Sequence, residues 1–524
     1  MGRRGIRKSR KRLRTPGAIA VDRLARMPAG DTRQPNVLLI QTDQQHARCM
    51  GCAGEPLLRT PCMDRLAAEG ARFTRAYAVS AHCGPSRVSL LTGLYEFHHR
   101  RHRNDDEPPD WPATLPSILA RAGYQTVLLG KGHLGVDWPR RQFEITRFST
   151  LTDGYPDDPL SCHYFRHLVE AGVADLFDNT TRAKRHPHCA HTSELPLEHS
   201  MEVWLGDETL RYLRHRDPAR PFFAYVNFER PHDPLSVPEP YDRLYDPDAV
   251  TVPANAADTF EGKSERQRAA ARGELAYPHR PASHPDLVRC IAHYYGLVTL
   301  IDEQVGRMLA ELERQGILDD TIVIFTADHG DFAGEHGLIW KNLGFYEAVH
   351  RIPLLIRAPG RVDADRRFDR FVENIDLMPT LLEMLGISDP TGLDGRSFLA
   401  AMSGRGEWGK QAAMADHVKE YYHVSLRTDA FRLTVDLTGD ESELYDHRDD
   451  PGELVNRWCD AKYAAIREEL LFQLMSYRAL PALMHGPLPE GVKPESEAGY
   501  ACADWCEATR RLELGDPWSQ IHRE

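Results

Sequence analysis

The sequence has no apolar run approaching the length of a membrane span, so no membrane partner is expected. Its first thirty residues hold no stretch long enough for the apolar region of a signal peptide, and Gly17 to Val21 is too short. An excess of positive charge is also missing. Against 65 Lys and Arg stand 77 Asp and Glu, a net charge of −12, which argues against general nucleic-acid binding. The ten cysteines follow no regular spacing, and a chain of 524 residues needs no disulfide framework. Reduced thiols and a cytoplasmic location are the simpler expectation. No internal repeat is visible.

Four short, uninterrupted apolar runs are present, each leading into a polar cluster. NVLLIQT (36–42) leads into Asp43-Gln44-Gln45-His46 and TVLLG (126–130) into Lys131-Gly132-His133. PFFAYVNF (221–228) is followed by Pro231-His232-Asp233, and TIVIFTA (321–327) by Asp328-His329-Gly330. Runs of this kind without alternation suit strands buried on both faces. Helical patterns at 113–124 and 295–317 precede the second and fourth runs. The alternation predicts an α/β fold with a large, doubly wound, mostly parallel sheet flanked by helices. Ligands bind such sheets outside the carboxyl ends of the strands, so the four clusters should meet on one rim.

The remaining organisation follows from texture. Residues 1–34 read as a disordered basic extension and 35–405 as the catalytic α/β domain. Within the latter, 140–195 looks like an insertion and 236–290 like a long excursion over the site, with a short helix near 265–273. Strands at 423–428, 430–437 and 443–446, then a helix over 462–475, predict a small C-terminal α+β subdomain at 406–480. Residues 481–524 form a tail rich in Pro and Glu.

The stretch AHCGPSRVSLLTG (81–93) places Cys83 beside a turn-forming Gly84-Pro85 pair and at the start of a helix. Free N–H groups and the helix dipole favour an anion there, and Arg87 adds a fixed charge. Asp43, Asp328 and Gln44 offer hard oxygen ligands and His329 a nitrogen, which together suit one divalent cation. Lys131, His133, His232 and Lys341 supply cationic or proton-donating groups. Gathered at one metal-bearing rim they would repel one another unless an anionic substrate compensated them. A sulfate or phosphate ester fits that description. The cluster Cys49, Cys52, Cys62 and His46 lacks a second paired ligand motif for zinc, and RHPHCAH (185–191) reads as a surface loop.

These motifs carry a resemblance to the type I, formylglycine-dependent sulfatases of the alkaline phosphatase superfamily. CGPSRVSLLTG resembles the family signature C-x-P-S-R-x-x-x-L-T-G, and GKGHLG (130–135) resembles G-K-W-H-L-G with Gly132 in place of Trp. PHDP (231–234), TIVIFTADHGDFAGEHGLIWK (321–341), RIPLLIRAPG (351–360) and ELYDHRDDPGELVN (443–456) also follow the family in order. The resemblance implies that Cys83 is converted to formylglycine (3-oxoalanine) by a formylglycine-generating enzyme. The hydrated aldehyde attacks sulfur through one hydroxyl and expels sulfate through the other.

It further implies that Asp43, Gln44, residue 83, Asp328 and His329 hold the cation. Calcium is the family default. Manganese or magnesium compete because His329 replaces a common Asn and imidazole suits Mn²⁺. Arg87 and Lys131 would hold the diol, and His133 would assist deprotonation of its second hydroxyl. Lys341 would bind sulfate oxygens, and His232 or Lys341 would protonate the leaving oxygen. Asn104 matches a substrate-contacting Asn of the related phosphonate monoester hydrolases. The expected function is hydrolysis of a small-molecule or saccharide sulfate monoester. The alternatives are a phosphonate monoester or phosphodiester hydrolase, and a silent binding protein that never matures its Cys. A homo-oligomer is compatible with either enzyme.

Overall fold

Uninterrupted apolar runs build the centre of the sheet. The computed structural model describes residues 34–104, 113–135, 137–150, 162–177, 190–275, 280–341, 345–388, 390, 392–418, 422–439 and 441–479. The basic extension expected over 1–34 (Gln34 apart), the tail over 481–524 and most of the 185–191 motif lie outside the described residues.

Eight strands form the main sheet: β1 (Asn36–Asp43), β2 (Ala71–Phe73), β3 (Gln125–Lys131), β4 (Ile145–Ser149), β5 (Phe222–Pro231), β6 (Thr321–Ala327), β7 (Leu354–Arg357) and β8 (Arg366–Phe368). Their order is β8-β2-β7-β6-β1-β5-β3-β4. Strands β6, β1, β5, β3 and β4 are mutually parallel, and β7 runs antiparallel to β6. Leu39 of β1 aligns with Tyr225 on one side and Ile324 on the other.

Both faces of the sheet are covered, which explains the lack of alternation in these runs. Leu38, Ile40, Ala224, Val226, Val323 and Phe325 pack with helices α1 (Pro61–Glu69), α4 (Met201–His215) and α5 (His284–Arg314). Val37, Leu39, Phe223, Tyr225, Ile322 and Ile324 pack with α2 (Cys83–Thr92), α3 (Leu115–Arg121) and α6 (Leu377–Met384). Truncating a fully buried residue such as Leu39 to Ala should cost about 2–5 kcal/mol.

Helix α5 begins eleven residues earlier than its apolar pattern suggested. Ser283 caps it, accepting from the Asp286 N–H at 3.3 Å, with Pro285 in the first turn. Helix α3 is shorter than expected because Thr114 and Ser117 form a reciprocal cap that fixes its start. The stretch 140–195 is not wholly an insertion. It contributes β4, which pairs with β3 and closes one edge of the sheet. The excursion after 235 carries the expected short helix, at Glu265–Ala271.

The C-terminal part is a four-stranded antiparallel sheet in sequential order: β9 (Ala412–Val418), β10 (Tyr422–Thr428), β11 (Phe431–Asp436) and β12 (Glu443–Asp446). Helix α7 (Ala464–Ala479) packs on it, and the shared core takes in Val79, Tyr95 and Ile375. The Met414 N–H donates to Glu373, and the fully buried Lys410 bonds Glu373 and Asp376 at 2.5 and 2.6 Å. These contacts tie β9 to the segment that follows β8.

Candidate active site

The parallel strands deliver their carboxyl ends to one rim, and the four polar clusters meet there around Asp43. Lys131 Nζ lies 2.6 Å from Asp43 Oδ2, Arg87 Nη2 3.3 Å from the same atom, and His329 Nε2 3.7 Å from Oδ1. Lys341 Nζ is 3.9 Å away. Close backbone packing makes this convergence possible. A side chain at Gly130 would meet the Asn227 carbonyl at 2.0 Å, and one at Gly330 would meet that of Ala348 at 2.0 Å.

Cys83 is the first residue of α2, a helix buried along its whole length. Asn104 Oδ1 accepts from the Gly84 N–H at 2.9 Å, which occupies one of the free donors at that helix start. Lys341 Nζ approaches Cys83 Sγ to 3.2 Å and His329 Nε2 to 3.3 Å. Burial, with Asp43 beside it, pushes the thiol up to about 11 against the pull of Lys341 and Lys131. With no cation beside it, a thiol at residue 83 is therefore held protonated.

Arg87 is fully buried and spans the two strands that carry the carboxylates. Its Nε donates to Asp328 Oδ2 at 3.0 Å and its Nη1 to Asn227 Oδ1 at 2.8 Å. Burial works against the charge on Asp43, but the ammonium groups of Lys131 and Lys341 outweigh it. They hold the carboxyl well below the usual range. Burial and the Lys131 charge keep His133 well below its ordinary value, and burial and Lys341 do the same for His232. His133 adopts φ 46°, and its buried Nδ1 has no hydrogen-bond partner among the described residues. The His232 Nδ1–H donates to the Asp233 carbonyl at 2.7 Å.

Asp43, Cys83, Asp328 and His329 each bring a ligand atom to one locus, all within 4.8 Å of one another. The imidazole decides whether a cation fits. His329 Nδ1 lies 2.9 Å from the Gly330 carbonyl and so must carry the proton. Burial lowers the pKa of the ring, which keeps it neutral. Nε2 then presents a lone pair to Asp43 Oδ1 and Asp328 Oδ1, at 3.7 and 3.6 Å. Three electron-rich atoms facing one another in a dry site repel unless a cation sits among them. The donor set, two carboxylates and an imidazole, suits a divalent ion.

Gln44, expected as a ligand, has two other partners. Its Oε1 accepts from Lys341 Nζ at 2.8 Å, and its Nε2 donates to Asp331 Oδ2 at 2.6 Å. Its backbone, at φ 66°, donates to Asp328 Oδ1. Arg87, Lys131, Asp328, His329, Lys341 and Gln44 therefore sit within one or two hydrogen bonds of Asp43 or Cys83, whereas the His232 side chain contacts Asp233. Sequence reasoning missed Asn227, Glu229 and Asp331. Glu229 lies 3.5 Å from Lys131 Nζ, and both Asn227 and Glu229 interrupt an otherwise apolar strand, a signal that was available.

A family model described as "Sulfatase" matches residues 35–387, and one described as "N-sulphoglucosamine sulphohydrolase, C-terminal" matches 334–479. The chain is 30% identical over 449 residues to an arylsulfatase of Clostridium perfringens, covering 81% of this chain and 90% of that protein. It is 28% identical over 524 residues to an N-acetylglucosamine-6-O-sulfatase of Bacteroides thetaiotaomicron, covering 87% and 88%. Its structure is similar to the crystal structure of a phosphonate monoester hydrolase of Agrobacterium radiobacter. There the TM-score is 0.73 at 28% identity, over 86% of this chain and 96% of that one.

Proposed function

The chain belongs to the sulfatase family, and from that premise we propose that it hydrolyses sulfate monoesters through a formylglycine formed at Cys83. The observation that carries the reading is the pair of contacts to Cys83 Sγ, from Lys341 at 3.2 Å and His329 at 3.3 Å, inside the carboxylate cluster. The modified residue supplies its nucleophilic oxygen where Sγ stands, and hydration gives the second hydroxyl through which sulfate is released. Asp43, Asp328, His329 and residue 83 would hold one divalent cation, with Gln44 alongside. The ion, when bound, lowers the pKa of the attacking hydroxyl. Calcium is our assignment, with manganese as the competitor that the imidazole favours.

Each remaining residue has a physical task in this scheme. Arg87 fixes the carboxylates, and its charge and that of Lys131 offset theirs. Lys341, beside residue 83, is placed to bind sulfate oxygens and to give a proton to the leaving oxygen; His232, whose Nδ1–H is held by the Asp233 carbonyl, can share that task once the charge of a bound substrate brings a proton to its Nε2. Neutral His133, whose Nδ1 has no partner among the described residues, is suited to accept the proton of the second hydroxyl. Asn104 braces the start of α2 and can reach substrate from there. A formylglycine-generating enzyme would mature the chain. The names of the relatives support an aryl or saccharide sulfate as substrate.

The test is kcat/KM for an aryl sulfate against an aryl phosphonate with the same leaving group, on matured enzyme. A sulfate monoester offers three oxygens to Lys131, His133 and Lys341, whereas a phosphonate leaves one donor facing carbon. Sulfate should win by about one to two decades. A second reading, phosphonate monoester hydrolysis, is favoured by the structural similarity to such an enzyme together with Asn104. A clear phosphonate preference would establish it instead.

A further inference from the structure

Lys341 reaches residue 83 from a loop with an unusual backbone. Ala333, His336 and Trp340 all have positive φ, at 45°, 55° and 77°, in a segment of nine residues after Asp331. Conformations of this kind persist only where surrounding bonds impose them. Asp331, 2% exposed, supplies those bonds at Ala333 and Trp340. Its Oδ1 accepts from the Ala333 N–H at 2.6 Å and the Trp340 N–H at 3.1 Å, and its Oδ2 accepts from Trp340 at 3.1 Å and from Gln44 Nε2 at 2.6 Å. With both oxygens facing N–H donors, a proton on the carboxyl would have no acceptor.

The orientation of the Gln44 amide is fixed by its neighbours. An ammonium only donates, so Lys341 Nζ at 2.8 Å must face the amide oxygen. The NH₂ then faces Asp331, which as a carboxylate only accepts. A relay results: Asp331 orients Gln44, and Gln44 holds the ammonium of Lys341 3.2 Å from Cys83 Sγ. Asp331 also fixes the backbone at Trp340, the residue before Lys341.

We propose that Asp331 and Gln44 are positioning residues for Lys341, aiming its ammonium at residue 83 through an amide that can point only one way. The inference rests on the sulfatase reading of the site. A glutamine does this where a second carboxylate could not, because two carboxylates 2.6 Å apart would repel. The relay therefore makes a reciprocal prediction. In Asp331→Asn, the new NH₂ faces the Gln44 NH₂, the Gln44 amide turns over, and Lys341 loses its acceptor. Adding Gln44→Glu restores an acceptor for both neighbours and returns the carboxylate to the pair on the other residue.

The experiment compares wild type, Asp331→Asn and the double variant Gln44→Glu/Asp331→Asn in two readouts. These are kcat/KM for an aryl sulfate on matured, metal-loaded enzyme, and the melting temperature of metal-free enzyme. Asp331→Asn should lose about tenfold to a hundredfold in kcat/KM. The double variant should return to within about threefold of wild type and recover most of the lost melting temperature. A double variant no better than Asp331→Asn overturns the relay, because a merely structural carboxylate is not rescued by a second change. If Asp331→Asn cannot be purified, recovery of folded protein on adding Gln44→Glu is the rescue, and its absence refutes the proposal. A wild type inactive on sulfates would defeat the sulfatase reading alone, since the metal-free melting comparison still reads the relay.

Discussion

Replacing Arg87 by Met should expose how much charge the rim stores. Arg87 is fully buried and contacts Asp328 Oδ2 at 2.9 Å and Asp43 Oδ2 at 3.3 Å, both carboxylates also fully buried. Methionine keeps much of the volume and removes the cation. Removing one partner of a buried ion pair costs about 3–5 kcal/mol, because the remaining charge stays desolvated. For a chain of 524 residues the unfolding entropy is about 1 kcal/mol/K, so the melting temperature should fall by about 3–5 °C. That shift applies to enzyme stripped of metal. With a divalent ion bound, the same carboxylates are compensated from another side, and the shift should shrink by about half or more. The assay is thermal unfolding of wild type and Arg87→Met, each with chelator and with saturating metal. A metal-free shift below about 1 °C, or equal shifts in both conditions, would show that Arg87 and the cation do not share these carboxylates.

Peptide mass spectrometry of protein co-produced with a formylglycine-generating enzyme should show at Cys83 the mass change of a CH₂SH group becoming CHO, with sulfur and two hydrogens lost and one oxygen gained; fully active protein with an alkylatable Cys83 refutes the proposed nucleophile. Asp328→Ala or chelation should abolish turnover, and activity persisting in verified metal-free protein would remove this cluster from catalysis. Glu453 gives a pH prediction remote from the site. Burial opposes its charge, but Arg432 at 2.6 Å and His447 at 3.0 Å prevail and hold it at about 2, below its ordinary 4.5. A depressed carboxyl stabilises the fold above its unfolded value, and that stability is lost as pH falls from about 4.5 toward 2. Its contribution at neutral pH is about 3 kcal/mol. Glu453→Gln should therefore lower stability at pH 7 and flatten the acid limb of an unfolding curve, whereas an acid limb identical to wild type would contradict this account.

The sequence made the central strands legible because β1, β5 and β6 are buried on both faces and run apolar over most of their length. The rim was legible for the same reason, since a polar residue at the end of such a run must meet something other than core. Strand β4 was not, because an edge strand half open to solvent has no such run. Strands β2 and β8 are three residues each, too short to show a pattern, and β9 alternates too weakly to stand out. At the site, residue types pointed to the candidate ligands and to the cationic side chains but not to the partners that aim them. Nothing in the spacing of Gln44, Asp331 and Lys341, 287 and 297 residues apart from the first, indicates that one amide links the other two. Such a link exists only once β1 and β6 lie side by side.

The burial of Cys83 would set a clock on the modification proposed for it. The residue is 1% exposed, and one of the side chains over it, His329, follows it by 246 residues. At about 5–20 residues per second the ribosome needs roughly 10–50 s to add that length. Until then β6 has not been made, β1 lacks one of its two parallel neighbours, and the motif from Cys83 to Arg87 has no lid. A modifying enzyme would therefore meet an open stretch of nascent chain during that interval and a sealed pocket after it. Anything that hastens folding of the second half, or slows the modifying enzyme, should raise the fraction of molecules that complete the fold with an unconverted thiol inside.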